Sequence, residues 1–248
     1  MFRPLAGAAR VRPPAGRPSS RLGGHREAGS LVLAPSRDGR RLLTAGSDGR
    51  LRVWALGPEE PVPEASIQGE RGAAFLDARW SPTGDAAAVA GEDGRVQLVR
   101  LDPAGPPSLV ELVAHAGPAR VLQFMADGTA VASAGDDGRI EVTPIGESRA
   151  RKASLAGHVG PVRALDVARD GGRLASAGDD GTLRIWSLAA PESPPLELRG
   201  HDGAISQVQL RPDGRAALTA AADGTAREWP LDGGEPLVLR GHGDAVWV

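Results

Sequence analysis

The sequence predicts an all-β protein built from one repeated four-stranded unit, and two observations support this. First, an Asp-Gly turn recurs along the 248-residue chain. Its aspartates lie 45, 44, 43 and 43 residues apart: Asp48, Asp93, Asp137, Asp180 and Asp223. Second, Gly or Pro interrupts the chain about every 8–12 residues, which leaves no room for helical repeats. A fixed period of this length indicates one supersecondary unit copied along the chain.

One copy shows the order of its elements clearly. An apolar strand over 162–167 is followed by a turn, a second strand over 173–177 and the Asp-Gly turn. A third strand over 182–186 alternates polar and apolar residues, and a short fourth strand covers 195–198. Asp-Gly between two such strands predicts a tight hairpin in which both turn residues take positive φ. The predicted fold is therefore a β-propeller of four-stranded antiparallel blades.

The repeats divide the chain into a tail and a propeller. Residues 1–23 form a basic tail rich in Pro and Arg, and its segment 18–22 is a candidate strand for closing the last blade. Residues 24–248 form the propeller, with repeats at about 24–68, 69–113, 114–156, 157–199 and 200–240 and a partial repeat at 241–248. Because the sixth repeat stops within its first strand, we expect a propeller that is incomplete at its C-terminus.

Four residue types recur around the turn and resemble the WD-repeat family over residues 24–248. In three repeats a hydroxyl residue stands four positions before the turn aspartate and a tryptophan six positions after it, and a Gly-His histidine stands earlier. The resemblance implies that these four side chains form a buried hydrogen-bonded tetrad in each blade. The complete sets are His25, Thr44, Asp48 and Trp54; His158, Ser176, Asp180 and Trp186; and His201, Thr219, Asp223 and Trp229.

Two repeats depart from this pattern. The third repeat keeps three members and has a threonine in place of the tryptophan: His115, Ser133, Asp137 and Thr143. The second repeat keeps only its aspartate, and its four positions hold Glu70, Val89, Asp93 and Val99. Because replacing several polar partners together by apolar groups can be nearly neutral, the second blade is still expected to fold, as the least rigid of the set.

Composition argues against several classes of partner and location. The net charge of −2 gives no overall attraction to nucleic acid or membrane surfaces. The absence of cysteine excludes disulfides and fits a reducing compartment, so we expect a cytoplasmic protein. No apolar stretch approaches the roughly 18 residues of a membrane span. A single lysine, Lys152, against 28 arginines indicates a GC-rich bacterial genome.

The polar residues of the repeats do not predict catalysis or a cofactor. Ser176, His158 and Asp180 have the membership of a hydrolase triad, but the same trio recurs with a tryptophan attached, which favours a structural role. The five histidines lie far apart, without the short spacing of metal ligands. We therefore expect no enzyme activity, no metal and no cofactor.

The resemblance implies a non-catalytic scaffold that binds protein or peptide partners. The residue before the turn aspartate varies, and in three successive repeats it is acidic: Glu92, Asp136 and Asp179. These three predict an acidic arc that attracts a basic peptide, although Asp and Glu are also common in solvated turns. Two alternatives stay open: a detached sensor or regulatory propeller of a larger bacterial signalling enzyme, such as a kinase or NTPase, and, less favoured, a propeller enzyme or lectin.

Overall fold

The fold is all-β throughout the part of the chain that the computed structural model describes. These residues are 9–11, 20–22, 31–57, 60–69, 72–101, 107–146, 148, 150–241 and 244–245. They contain 22 β-strands and no α-helix, and therefore no helix long and apolar enough to cross a membrane.

Twenty strands form five four-stranded antiparallel sheets, each with its strands in chain order. Sheet 1 contains β3 (Leu31–Pro35), β4 (Arg41–Gly46), β5 (Arg50–Ala55) and β6 (Val62–Gln68). Sheet 2 contains β7 (Phe75–Trp80), β8 (Ala87–Gly91), β9 (Arg95–Arg100) and β10 (Ser108–Ala114). Sheet 3 contains β11 (Ala119–Phe124), β12 (Ala130–Gly135), β13 (Arg139–Pro144) and β14 (Ala153–Ala156). Sheet 4 contains β15 (Val162–Val167), β16 (Arg173–Gly178), β17 (Leu183–Ser187) and β18 (Leu196–Leu198). Sheet 5 contains β19 (Ile205–Leu210), β20 (Ala216–Ala221), β21 (Ala226–Pro230) and β22 (Leu237–Leu239).

The two remaining strands lie near the N-terminus and pair with each other. β1 (Ala9–Val11) and β2 (Ser20–Leu22) form a separate antiparallel sheet. β2 falls within the segment expected to close the last blade, and it pairs with β1 and not with sheet 5, whose fourth strand is β22. Closure of a last blade by this segment stays a prediction.

Each sheet packs on the next one along the chain, and the sheets form an open arc. The first strands β3, β7, β11, β15 and β19 contact one another in that order and so line the inner side of the arc. No packing of comparable extent joins the described residues of sheet 5 to those of sheet 1. Four buried apolar clusters lie between consecutive sheets, so the core is divided among the interfaces between sheets.

Three side chains link neighbouring sheets by hydrogen bonds. The carboxylate of Asp77 in β7 accepts the backbone N–H of Leu122 in β11 at 3.0 Å, and that of Asp166 in β15 accepts the N–H of Leu210 in β19 at 2.7 Å. The indole of Trp80 donates to the carbonyl of Ala34 at 2.9 Å, from sheet 2 to sheet 1. Burial raises the pKa of both carboxyl groups. These bonds set the register of one sheet against the next.

The Asp-Gly turns have a different geometry from the one predicted. In each turn the glycine N–H donates to the residue three positions earlier, for example Gly94 to the carbonyl of Gly91 at 3.1 Å. The loop therefore has three residues and ends in a glycine with positive φ, 84° at Gly94. The expected two-residue turn is wrong because the residue before the aspartate belongs to the loop and not to the strand. This places that residue at the tip of the hairpin.

We predict that the turn glycine is required for packing against the next repeat as well as for its backbone angle. A Cβ on Gly94 would lie 2.6 Å from the carbonyl oxygen of His115, whereas a Cβ on Gly39, which also has positive φ, would meet nothing within 4 Å. Gly39→Ala should therefore lower the free energy of unfolding by about 1–2 kcal/mol through backbone strain alone. Gly94→Ala should lower it by about 1–3 kcal/mol more, because backbone atoms must move.

Urea denaturation of both variants measures this difference. Equal losses in the two variants would show that the turn does not pack tightly on the following repeat.

Candidate functional site

Polar side chains around the Asp-Gly turns form buried networks, of which that in sheet 4 is complete. The indole of Trp186 donates to Ser176 Oγ at 2.8 Å. Ser176 Oγ lies 2.8 Å from His158 Nε2, and His158 Nδ1 lies 3.0 Å from each oxygen of Asp180. The backbone N–H of Val159 also donates to Asp180, at 3.1 Å. The network therefore ties the third strand, the second strand, the loop entering the sheet and the turn together.

The donors and acceptors fix the tautomer of His158. Because Ser176 Oγ accepts the indole N–H, its own proton is free to be donated to His158 Nε2. The proton of the neutral ring then lies on Nδ1 and is donated to Asp180. Arg184 Nη1 lies 2.7 Å from both Nδ1 and Asp180 Oδ2, and since Nδ1 cannot accept in this tautomer, the arginine donates to the carboxylate.

Sheet 5 repeats this network with a threonine as the hydroxyl residue. Trp229 donates to Thr219 Oγ1 at 2.8 Å, and Thr219 Oγ1 lies 2.7 Å from His201 Nε2. His201 Nδ1 lies 2.9 Å from Asp223, whose carboxylate also accepts the backbone N–H of Asp202 at 3.1 Å. The same directions of hydrogen bonding therefore apply in both sheets.

In sheet 1 the structure brings together part of the predicted set. Trp54 donates to Thr44 Oγ1 at 2.9 Å, and Asp48 accepts the backbone N–H of Arg50 at 3.1 Å. His25, the predicted fourth member, lies outside the described residues.

Sheet 3 has the network without the indole. His115 Nδ1 lies 3.1 Å from both oxygens of Asp137, and its Nε2 lies 2.9 Å from Ser133 Oγ. At the tryptophan position, the hydroxyl of Thr143 is buried and has no hydrogen-bond partner among the described residues. Replacing the indole by threonine therefore leaves a buried hydroxyl unpaired, which is unfavourable.

Sheet 2 replaces the network by apolar packing. Val89 and Val99 are almost fully buried, at 0% and 2% exposure, where the other sheets have a hydroxyl and an indole. Asp93 still accepts the backbone N–H of Arg95 at 3.1 Å and so keeps its role within the turn. Glu70, at the histidine position, lies outside the described residues.

Sequence reasoning missed a further member of the network, an arginine four residues after the turn aspartate. Arg52, Arg184 and Arg227 occupy this position, with a guanidinium nitrogen 3.8, 2.7 and 3.9 Å from the aspartate of their own repeat. The two repeats that lack tryptophan have Gln97 and Glu141 there. The fixed interval of four residues was visible in the sequence and could have revealed the arginines.

The networks favour neutral histidine and ionised aspartate. Burial lowers the pKa of His158 and of His201 below the usual range, and it outweighs the opposing effect of the paired aspartates. Burial also tends to raise the pKa of Asp180, but hydrogen bonds from Arg184, Thr182 and a backbone amide outweigh it and hold that pKa well below its usual range. Burial also tends to raise the pKa of Asp223, but hydrogen bonds from Thr225, His201 and backbone amides outweigh it and hold that pKa below its usual range.

The three acidic residues of the predicted arc lie on successive hairpin tips, but two of them are already paired. Arg120 holds Asp136 through two hydrogen bonds, Nε to Oδ1 at 2.5 Å and Nη2 to Oδ2 at 2.6 Å. Arg163 holds Asp179 in the same way, at 2.8 and 2.7 Å. Only Glu92 is an exposed carboxylate with no ion pair or hydrogen bond among the described residues. The hairpin tips therefore carry charges of both signs, and attraction of a basic peptide by the three acidic residues stays a prediction.

The serine, histidine and aspartate trios are closed to substrates. Ser133, Ser176 and Thr219 are 1%, 0% and 3% exposed, and the last two already accept an indole N–H. A nucleophile needs an exposed oxygen beside a cleft. Among the described residues, no group of three or more His, Asp or Glu side chains is arranged to hold a metal ion.

Comparison with known families identifies three of the repeats. The family model described as "WD domain, G-beta repeat" matches residues 16–55, 150–187 and 192–230. These ranges contain Trp54, Trp186 and Trp229, so the matched repeats are those with an indole hydrogen-bonded to the hydroxyl residue. No curated protein sequence matches the chain.

We predict that the indole makes the hydroxyl residue more important in sheet 4 than in sheet 3. Ser176→Ala leaves the indole N–H of Trp186 and Nε2 of His158 without a partner, whereas Ser133→Ala leaves only Nε2 of His115 without one. Each buried group left unpaired costs about 1–3 kcal/mol, so Ser176→Ala should lower the free energy of unfolding by about 1–3 kcal/mol more than Ser133→Ala. Urea denaturation of the matched pair measures the difference. An equal or larger loss in Ser133→Ala would contradict the hydrogen-bonded network described above.

We also predict that mild acid destabilises the protein. Because the pKa values of His158 and His201 are lowered in the folded protein, the unfolded chain binds more protons as the pH falls through about 6.5. The stability contributed by the neutral rings is complete above that pH and is lost as the pH falls toward the lower folded-state pKa. Stability contributed by Asp137, Asp180 and Asp223 is lost only below about pH 4, since their folded pKa values are also lowered.

Free energies of unfolding measured between pH 7.5 and 4.5 test this. A decrease that begins near pH 6.5 is expected, with an uptake of about two protons on unfolding at most from these two histidines. Because the raised pKa values of Asp77 and Asp166 act in the opposite direction, the histidine contribution is the difference between the unaltered chain and His201→Gln at each pH. A difference that does not shrink as the pH falls is incompatible with a neutral buried ring.

Proposed function

Three of the five four-stranded repeats match the WD-repeat family model, and on that basis we propose that the chain is a non-catalytic scaffold that binds a protein or peptide partner at the hairpin tips. WD-repeat domains generally serve as interaction modules. The observation that supports this role is that the turn aspartate and the residue before it make different contacts. The aspartate accepts a backbone hydrogen bond within its own turn in every sheet. The residue before it varies: Ser47, Glu92 and Asp179 are exposed, and Asp136 and Ala222 are half-buried.

The buried networks make the tips suitable for recognition. In sheet 4 the turn aspartate accepts hydrogen bonds from the entering loop and from the residue two positions ahead, Thr182. A tip held in this way loses little conformational freedom on binding, which lowers the entropic cost of recognition. Specificity then depends on the variable side chains that the rigid turns present.

We assign the preference for a basic partner to Glu92. Its carboxylate is free, whereas those of Asp136 and Asp179 are paired with arginines. A lysine or arginine of the partner therefore gains a new ion pair at Glu92, but it would have to compete with an internal guanidinium at the other two positions. The attraction is local and modest, as expected of an exposed ion pair.

We predict that charge reversal at Glu92 weakens binding to basic peptides. An array of peptides containing Lys or Arg should bind the labelled full chain, and Glu92→Lys should weaken that binding about three- to five-fold. Glu235→Lys is the matched control, because Glu235 is also exposed but lies in the loop between β21 and β22, at the opposite end of its sheet. The proposal is wrong if Glu92→Lys binds the same peptides as strongly as the unaltered chain, or if no peptide binds either protein.

A further inference from the structure

A cavity of about 620 Å³ lies on the inner side of the arc, at the end that carries the hairpin tips. Residues of β7, β11, β15 and β19 line it, so four first strands surround it. Arg79, Arg120 and Arg163 contribute three guanidinium groups to this central cavity, and Asp77 and Asp179 contribute two carboxylates. Cavities of this size accommodate a side chain together with adjoining backbone.

Arg120 and Arg163 are held in fixed orientations with donors to spare. Each uses Nε and Nη2 to bind both oxygens of its aspartate, which is the planar two-point geometry that arginine prefers. The Nη1 group of each therefore keeps its N–H donors, with no hydrogen-bond partner among the described residues. Both side chains are about one-third exposed, at 34% and 35%.

The two guanidinium groups lie side by side because they occupy the same position in neighbouring sheets. Each is the second residue of its first strand and stands 16 residues before the aspartate that it binds. Hydrogen bonding to Asp136 raises the pKa of Arg120, and the nearby positive charge of Arg163 acts in the opposite direction. In sheets 2 and 5 the equivalent residues are Leu76 and Ser206, so this pairing is confined to sheets 3 and 4.

Both carboxylates in the lining of the cavity already accept a hydrogen bond on each oxygen. Asp77 accepts the backbone N–H groups of Ala78 and Leu122, one on each oxygen. Asp179 accepts two N–H groups of Arg163, again one on each oxygen. Arg79 Nε lies 3.6 Å from Asp77 Oδ1, too far for a good hydrogen bond, and its side chain is 51% exposed. Both carboxylates of the lining are therefore engaged, whereas Nη1 of Arg120 and of Arg163 has no carboxylate partner in the part of the chain that the structure describes.

We infer that the central cavity binds an oxyanion, a carboxylate or a phosphate, carried by the partner peptide and contacted by Nη1 of Arg120 and Arg163. This inference rests on the proposed function and names the chemical group that the partner places at the centre. A basic group of the same partner lies at Glu92 on the rim. Glu92 sits on the hairpin tip of sheet 2, and sheet 2 packs on the sheet that carries Arg120.

Three short dye-labelled peptides test the inference with the full chain. They share one frame of glycines and two lysines, and their central residue is Glu, phosphoserine or Gln. Fluorescence anisotropy should show binding of the Glu or the phosphoserine peptide at least about ten-fold tighter than binding of the Gln peptide, as expected for charge-assisted hydrogen bonds. Preference for one of the two acidic peptides identifies a carboxylate or a phosphate as the ligand. Equal affinity for all three peptides overturns the inference.

Variants of the cavity separate the arginines from general charge. Arg163→Lys keeps the positive charge near Asp179 but removes Nη1, and should reduce binding of the acidic peptide about ten-fold. Arg151→Lys is the matched control, since Arg151 is also ion-paired, to Glu192, away from the cavity. Gln207→Glu places a carboxylate in the lining without touching the core and should compete for the same donors. If both Arg163→Lys and Gln207→Glu leave affinity unchanged, the inference is wrong.

The result can be distinguished from failure of the proposed function. If Glu92→Lys weakens binding of the basic array peptides while the three central residues are bound equally, the scaffold function stands and the oxyanion site fails. If no peptide of either set binds, both proposals fail.

Discussion

The structure depends on one buried relay of hydrogen bonds, from an indole through a hydroxyl and an imidazole to the turn carboxylate. In sheets 4 and 5 every polar atom of the relay has a partner, and the direction of donation leaves one consistent tautomer, neutral histidine with its proton on Nδ1. Such a network specifies how three strands and a loop meet, because a single missing partner leaves a buried group unpaired. The turn aspartate is thus committed to the fold.

The role of the turn aspartate in the relay explains which neighbouring position can vary. The residue before the aspartate occupies the tip of a three-residue loop, outside the network, so it can change without an effect on the relay. The same logic accounts for the two incomplete repeats. Sheet 2 removes the hydroxyl and the indole together and packs valines, whereas sheet 3 removes the indole alone and is left with the orphan hydroxyl of Thr143. Complete replacement is the better solution physically.

The charged residues on the inner side of the arc form ion pairs and bind the backbone of neighbouring sheets, and they take no part in the relay. Arg120 and Arg163 face the central cavity with both a fixed partner and free donors, and Asp77 and Asp166 use their carboxylates to bind the backbone of the next sheet. The first strands therefore supply the contacts between sheets and a polar lining at once. A rigid rim with a polar centre is suited to holding an extended segment that carries charges of both signs.

The sequence by itself determined the period and the four strands per repeat, because these depend on local spacing that is copied from repeat to repeat. The members of the relay came from the resemblance to the WD-repeat family. It also contained the arginine four residues after the turn aspartate, which was overlooked. The three-residue turn was mispredicted because two- and three-residue hairpins share the Asp-Gly pattern, and only the hydrogen bond from Gly94 back to Gly91 separates them.

Only the tertiary structure decided the charge of the rim and the links between sheets. Arg120 and Asp136 are 16 residues apart, on a strand and on the far turn of its neighbour, and Asp77 and Leu122 are 45 residues apart on different sheets. Their meeting depends on strand register and on the packing of one sheet on the next, and neither follows from local spacing. The sequence shows acidic residues at both Glu92 and Asp136. Only the three-dimensional structure shows that the carboxylate of Asp136 is paired with an arginine, whereas no arginine in the described part of the chain pairs with that of Glu92.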